Sequence, residues 1–405
     1  MNKIYVIGLG IELDNPRQDI IKLIYGSDLL VGGVRLLKCF EGYKGEVLEI
    51  RGPLREIVKR IEEESSRGKK VVVLADGDPL FFGIGKRLLA EMDPDQLEFM
   101  PNITTVQVAA ARVKIPWDKV EIVSIHGRKD IWPLVRALTF REMVGVYTGN
   151  EQGPVLIARV MRERNIDTFR MTVFENLSHD DETIREVSLD EVEGIKFSPL
   201  NFILLRRVKD SPVALSVGLS DDLYMHDRGM ITKKEIRAIG LANLAIEPAD
   251  TVWDLGAGSG SVAIEASCLA REGKVFAVER NKERIGYIKE NIRRTGAYLV
   301  EVVEGEMPHC LDSLPAPDKV FLGGGMLKGN ELMETVCERL KKGGRLVAHT
   351  VVMGSAWRIK QYLERLGWPF ELTQVNVARS SRISGDIRLE ALNPVSIITA
   401  EKKDI

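Results

Sequence analysis

The sequence predicts an α/β protein made of two consecutive domains, and three observations carry that prediction. The chain has 405 residues, which at about 100–200 residues per domain exceeds a single small module. Each half opens on the same order of segments: a short β-rich apolar run, a glycine turn, then a charged stretch of helical period. Hydrophobic residues make up 44% and charged residues 29%, a globular mix, and 16 prolines are too few for a disordered or collagen-like chain.

In the first half the opening strand is Lys3-Ile4-Tyr5-Val6-Ile7, followed by the turn Gly8-Leu9-Gly10. Further strands are predicted at Val71–Ala75, Leu97–Met100, Val120–Ile125, Gly145–Tyr147, Met171–Glu175 and Phe202–Val208, alternating with helices such as Leu54–Arg67 and Pro154–Arg162. Lys209-Asp210-Ser211-Pro212 combines charge, Ser and Pro and reads as the linker, which sets domains at 1–210 and 215–405. The second half predicts strands at Thr251–Leu255, Lys274–Glu279, Val300–Glu304, Lys319–Leu322 and Arg345–His349, then two late β runs at Glu371–Ala378 and Val395–Thr399. Helices at Val262–Ala270, Lys282–Thr295, Asn330–Leu340 and Ala356–Leu366 fill the gaps, so a mostly parallel sheet with a hairpin-like C-terminal edge is expected.

Charge and cysteine usage exclude several classes. A formal charge of −2 offers no chain-wide field to nucleic acid or to an anionic membrane. Cys39, Cys268, Cys310 and Cys337 form no CxxC pair, which fits neither a zinc site nor a disulfide framework, so reduced thiols and a cytoplasmic location are expected, with no metal. The apolar start is broken by Gly8, Gly10 and Glu12 and lacks a small-residue cleavage site, and no apolar run reaches about 18 residues; it reads as a strand, not a signal or anchor.

The strongest local signal is Asp254-x-Gly256-x-Gly258-x-Gly260 between a strand and a helix, where glycines admit close approach of a ligand and the helix N-terminus offers free N–H groups. A dinucleotide fingerprint would place its third glycine at position 261, one later. The GxGxG form resembles the S-adenosylmethionine loop of Rossmann-like methyltransferases. Glu279 ends the next strand 19 residues after Gly260, near the distance at which an acid meets ribose hydroxyls, and Glu306 after the third strand is placed to accept from the adenine amine. Taken singly, either acid reads as a solvated loop residue and the glycines as a tight βα turn; the three features in order at successive strand ends point to a cofactor instead. At the fourth strand end, Gly323-Gly324-Gly325 offers space and backbone N–H groups for a bulky acceptor, or is simply a flexible loop.

Two sets of stretches carry a wider resemblance. In the second half they are Asp227-Arg228-Gly229-Met230-Ile231-Thr232-Lys233-Lys234-Glu235-Ile236-Arg237, the glycine loop, and the triglycine. These resemble the decarboxylating precorrin methyltransferases of cobalamin biosynthesis, which methylate carbon 15. In the first half they are Ala75-Asp76-Gly77-Asp78-Pro79-Leu80-Phe81-Phe82-Gly83-Ile84-Gly85, Thr104-Thr105-Val106-Gln107, Ser124-Ile125-His126-Gly127-Arg128 and Glu175-Asn176-Leu177. That half resembles the tetrapyrrole methylase family, in its carbon 5-methylating branch. The resemblance implies a two-subdomain tetrapyrrole methylase fold followed by a Rossmann-like methyltransferase domain, one S-adenosylmethionine per half, and a bifunctional enzyme acting on a corrin precursor. It implies a first cofactor site at Gly8, Gly10, Asp76, Gly77, Asp78, Thr104 and Thr105. Asn102 stands where that family commonly has glycine, and Asn tolerates left-handed geometry.

A polycarboxylate substrate calls for Arg, whose planar fork matches a carboxylate. Arg379, Arg382 and Arg388, expected in a polar loop between the two late strands, are the candidates, with a solvated basic hairpin as the alternative. His349, at the end of the fifth strand, and His126 are candidate proton donors, although a strand-end His is often structural. The expected partners are a tetrapyrrole and further copies of the chain. Two rival classes remain: an NAD-dependent two-domain dehydrogenase, opposed by the GxGxG spacing, and a non-enzymatic cofactor-sensing scaffold.

Overall fold

The computed structural model describes residues 3–11, 17–125, 130–150, 152–227, 229–323 and 330–403. By internal contacts the chain divides into two units: Met1–Lys129 with Glu142–Ala158 and Arg170–Arg206, and Asp130–Arg141 with Arg159–Phe169 and Arg207–Ile405.

The first five strands are β1 (Ile4–Gly8), β2 (Leu29–Gly32), β3 (Glu46–Glu49), β4 (Val71–Ala75) and β5 (Leu97–Met100), in the order β3-β2-β4-β1-β5. All neighbours are parallel. Parallel sheets are covered on both faces, which is why β4 reads as an unbroken apolar run and is buried throughout. One face packs Val6, Val31, Val73 and Leu97 against Ile57, Val58 and Ile61 of helix Leu54–Ser66; the other packs Ile7, Leu30 and Leu74 against Ile20, Ile24 and Leu36.

A second sheet contains β6 (Val120–Ser124), β7 (Met143–Tyr147), β8 (Phe169–Glu175), β9 (Thr183–Val187) and β10 (Asn201–Arg207), ordered β6-β7-β10-β8-β9. β6 and β7 are parallel; β7 with β10, and β8 with β9, are antiparallel. β2, β3 and β9 were not expected. β3 and β9 are largely polar or exposed and lack the apolar face that marks a strand, and β2 is a four-residue run set between two helices.

In the second unit, β11 (Thr251–Leu255), β12 (Lys274–Glu279), β13 (Val300–Glu304), β14 (Lys319–Leu322) and β15 (Arg345–Thr350) form a parallel array. β16 (Phe370–Val375), β17 (Ala378–Ile383), β18 (Asp386–Ala391) and β19 (Val395–Glu401) complete the set. The seven-stranded order is β13-β12-β11-β14-β15-β19-β16, with β19 antiparallel to both its neighbours. Strand order reverses between β11 and β14, the place where open α/β sheets bind ligands beyond their strand C-termini.

Residues 379–388 are not a loop: β17 and β18 pair as a separate two-stranded hairpin, turning at Ser384 (φ +46°) and Gly385 (φ +85°). Two consecutive positive φ angles match the right-handed twist of a hairpin, and the alternation of Ser and Arg with Ile383, Ile387 and Leu389 suits strands. Arg379 is paired with Glu390, Ser381 with Arg388 and Arg382 with Ile387, so Arg379 and Arg388 share one face and Arg382 is on the other.

Candidate functional site

The first candidate site is built where β1 and β4 end side by side. Gly10 (φ +77°) and Gly77 (φ +55°) form an isolated antiparallel bridge, with the Gly77 N–H donating to the Gly10 carbonyl at 3.2 Å. Beneath it, a Cβ at Gly8 would stand 2.1 Å from the Gly77 carbonyl oxygen, so only glycine lets the loops touch. Asn102 contributes through its side chain rather than by a left-handed backbone: Nδ2 donates to the Gly8 carbonyl at 3.0 Å and Oδ1 accepts from Ile103 N. Asp78 Oδ1 accepts from Leu80 N at 2.8 Å, turning the chain, and the N–H and hydroxyl of Thr104 both donate to Gln107 Oε1 at the start of helix Thr105–Val113.

These loops open into a cleft of about 1030 Å³ lined by Gly10, Asp76, Gly77, Asp78, Thr104 and Thr105. Six of the seven predicted residues thus line it, and Gly8 supports it from below. Its other side comes from the second sheet, where Tyr147, Thr148 and Asn201 lie at strand ends and His179 in the turn between β8 and β9. Sequence reasoning missed these, and missed Arg35, which pairs with Asp76 at the mouth. Arg35 follows β2, so finding that strand would have been the signal. Burial pushes the Tyr147 phenol up, and its ring packs on Phe81, Phe82 and Phe202. His126 and Glu12 lie outside the described residues.

The second candidate site lies at the strand-order reversal. Gly256 (φ +75°), Gly258 (φ +57°) and Gly260 (φ +77°) are all left-handed, which carries the chain from β11 into helix Ser261–Ser267. A Cβ on Gly258 would meet nothing nearer than the Gly256 carbonyl at 4.0 Å, so the loop faces open space, while one on Gly260 would be 2.9 Å from Ile288 Cγ2. Two buried acids hold this loop. Asp254 Oδ2 accepts from Ala263 N at 3.0 Å; burial, with Glu279 nearby, pushes its carboxyl up to about 7. Glu279 Oε2 accepts from Gly258 N at 3.0 Å, and Oε1 from Arg280 N at 2.9 Å and Asn281 N at 3.0 Å. Glu279 therefore stands against the glycine loop.

Glu306 is 74% exposed and pairs with Arg280 Nη1 at 3.1 Å. With Asn281, Glu304 and Gly305 they line a recess of about 450 Å³. Gly323 donates its N–H to the Leu255 carbonyl at 3.0 Å, and its Cβ position is 3.6 Å from the Gly256 carbonyl oxygen, beside the glycine loop. Gly324 and Gly325 lie outside the described residues.

His349 lies elsewhere in its surroundings: its ring is edge-on to Phe321 at 4.6 Å and against Gly240 of helix Lys234–Leu244. Both ring nitrogens are buried without a hydrogen-bond partner, and burial pulls its pKa down to about 4, so the imidazole is neutral at pH 7. Arg379 is engaged by Asp221 Oδ2 at 2.9 Å and Glu235 Oε2 at 2.5 Å; Arg388 donates to Ser381 Oγ at 3.0 Å, and Arg382 is exposed. Among the described residues no group of three His, Cys, Asp or Glu is arranged to hold a metal ion, and no helix is long and apolar enough to cross a membrane.

The family model for tetrapyrrole (corrin/porphyrin) methylases matches residues 3–193, and that for the precorrin methyltransferase domain matches residues 222–402. A Sinorhizobium protein named precorrin-6Y C(5,15)-methyltransferase [decarboxylating] is 32% identical over 405 residues, covering 96% of this chain and 94% of that protein. The chain belongs to the precorrin-6Y C(5,15)-methyltransferase family. A Mycobacterium tuberculosis protein of the same name is 30% identical over 310 residues, covering 75% of this chain and 76% of its own length. A solved Geobacter metallireducens precorrin-6Y C5,15-methyltransferase structure is 39% identical, covering 46% of this chain and 97% of that one, with a TM-score of 0.44. Membership of this family makes the chain an S-adenosylmethionine-dependent methyltransferase, and the dehydrogenase reading has no support.

Proposed function

We propose that the first unit methylates carbon 5 and the second unit methylates carbon 15 of a corrin precursor, the second with loss of the carboxyl group of the ring C acetate as carbon dioxide, which leaves a methyl group on the ring. The observation that supports this division is the presence of two glycine cradles of different construction in one chain, the first opening into a cleft and the second facing open space at Gly258. A cleft of about 1030 Å³ is at the upper end of the roughly 300–1,000 Å³ typical of small-molecule sites. Bound S-adenosylmethionine supplies an electrophilic methyl group on a sulfonium centre.

This chain's residues then align the partners and manage charge. In the first cleft, Gly10, Gly77 and the Thr104–Thr105 turn present backbone and hydroxyl groups, and Asp76 and Asp78 place negative charge at the mouth. In the second, Glu279 keeps lone pairs for ribose hydroxyls beyond those its backbone donors use, and Glu306 is free to trade Arg280 for the adenine amine. Gly323 leaves a small-residue opening beside the loop for a bulky acceptor. In this reading the enzyme is cytoplasmic and a homo-oligomer, which light scattering on the purified chain checks.

Calorimetry with S-adenosylhomocysteine on the whole chain tests the division and should return two sites. Mass spectrometry of the products from metal-free and cobalt-containing precursors should show two added methyl groups and one lost carboxyl with the true substrate. One site, or one methyl group, would overturn it.

A further inference from the structure

The stretch Gly218–Arg237 lies outside the sheet, yet it is held by three polar anchors. Glu265, in the helix that follows the glycine loop and wholly buried, accepts from Gly218 N at 2.9 Å, Leu219 N at 3.1 Å, the Tyr224 hydroxyl at 3.2 Å and Arg237 Nε at 2.7 Å. Asn291, 1% exposed, accepts from Met225 N at 2.7 Å through Oδ1 and donates through Nδ2 to the carbonyls of Met225 and Ser259, both at 2.9 Å. Ser259 is inside the glycine loop. The third anchor is Arg379 on β17, which holds Asp221 and both carboxylate oxygens of Glu235.

Arg237 joins two of the anchors, Glu265 and the Asp221 carboxylate that Arg379 holds. Buried side chain and all, it reaches Asp221 Oδ1 at 3.4 Å and the carbonyls of Leu219 and Thr232, each at 2.5 Å. Asp221 thus shares its carboxylate between Arg237 and Arg379. Charge-assisted bonds run from the hairpin through Asp221 and Arg237 to Glu265; from there the link passes through Tyr224 and its neighbour Met225 to the neutral amide bonds of Asn291, and so to Ser259 in the glycine loop. Buried networks of this kind are rigid when every member is satisfied and costly when one is removed.

We propose that Gly218–Arg237 is a strut that sets the geometry of the second cofactor loop, with Asn291 its pin at the loop and Arg379 its pin at the hairpin. Both are positioning residues, and Arg379 serves the cofactor site rather than gripping substrate carboxylates. The proposal rests on reading the GxGxG loop as a cofactor site.

S-adenosylhomocysteine calorimetry on the full chain is the test, with the wild type measured first. A wild type lacking the second site overturns the cofactor reading itself, and the strut with it. Given two sites, Arg379→Gln should weaken the second by about threefold to tenfold, with the first unchanged, and Arg379→Lys should recover part of the loss. Asn291→Ala should weaken the second site by about tenfold or more, and the double variant should fall short of the product of the two single effects. Unchanged cofactor binding in Arg379→Gln, with a raised KM for the corrin precursor, would make Arg379 a substrate contact and overturn the strut. A double variant whose effect equals the product would do the same. If Asn291→Ala fails to fold, the Gln and Lys variants of Arg379 decide alone.

Discussion

The two cofactor cradles reach the same end by different physical means. In the first, loop is held to loop: Gly10 bridges Gly77 through the backbone, Gly8 yields the space for it, and the acids Asp76 and Asp78 stay at the surface. In the second, the loop is held by buried carboxylates: Asp254 captures the first turn of the helix, and Glu279 ties Gly258 to the end of β12. The difference teaches that a backbone-built cradle depends on the absence of side chains, whereas one built on buried acids depends on their protonation state and hydrogen bonding. The first should therefore be sensitive to bulk and the second to charge.

The most damaging test of that contrast is Gly8→Ala. Its Cβ would lie 2.1 Å from backbone, not from a side chain that can move, so the bridge must open. Carbon 5 methylation should drop at least about a hundredfold while carbon 15 methylation persists, as product mass spectra would reveal. Loss of both would mean that the variant had unfolded the chain rather than the first cradle.

Glu279→Ala comes next. It strips three backbone donors of their acceptor and the ribose of its partner, so second-site affinity should fall by about 1.5–3 kcal/mol, read by calorimetry. Unchanged affinity would leave Glu279 a buried brace of the loop and not a ribose contact.

Asp254 sharpens the comparison through pH. Its folded-state pKa, about 7, lies above the ordinary 3.8, so the folded state holds an extra proton between those values. Stability of the second unit should rise as pH falls from above 7 toward 4, and thermal unfolding of Asp254→Asn should lose that component. His349 has the opposite sign: its depressed pKa, about 4, contributes stability above pH 6.5 that is lost as pH falls toward 4. Equal pH dependence in wild type and Asp254→Asn would show that the carboxyl is not the source.

The smallest effect is expected for His349→Gln, which should leave carbon dioxide release at pH 7 within about twofold, since a neutral packed imidazole has no proton to offer. A loss beyond about tenfold, with the melting temperature kept, would restore His349 as the acid.

Much of this protein was legible along the chain because the signals were local. The parallel strands of the second unit announce themselves as largely apolar runs, four of them with the predicted bounds, since a strand buried on both faces is built mainly of apolar residues, with polar ones such as Asp254 and Glu279 near its C-terminal end. Gly256, Gly258 and Gly260 state their own conformations, and Glu279 follows at a spacing set by one helix and one strand. The short strands β2 and β3 and the edge strand β9 carried no such pattern, and with β2 went the place of Arg35.

What the tertiary structure alone decided is which partner each polar side chain meets. Arg379 looked like a free cation in a polar loop, but a hairpin turns it toward Asp221 and Glu235, 158 and 144 residues away in the chain. Likewise His349 ends a strand as a catalytic residue would, yet it is spent against Phe321 and Gly240. Local sequence determines backbone conformation through sterics and periodicity; a charge or an imidazole acquires its role from neighbours that only folding brings within a few ångströms.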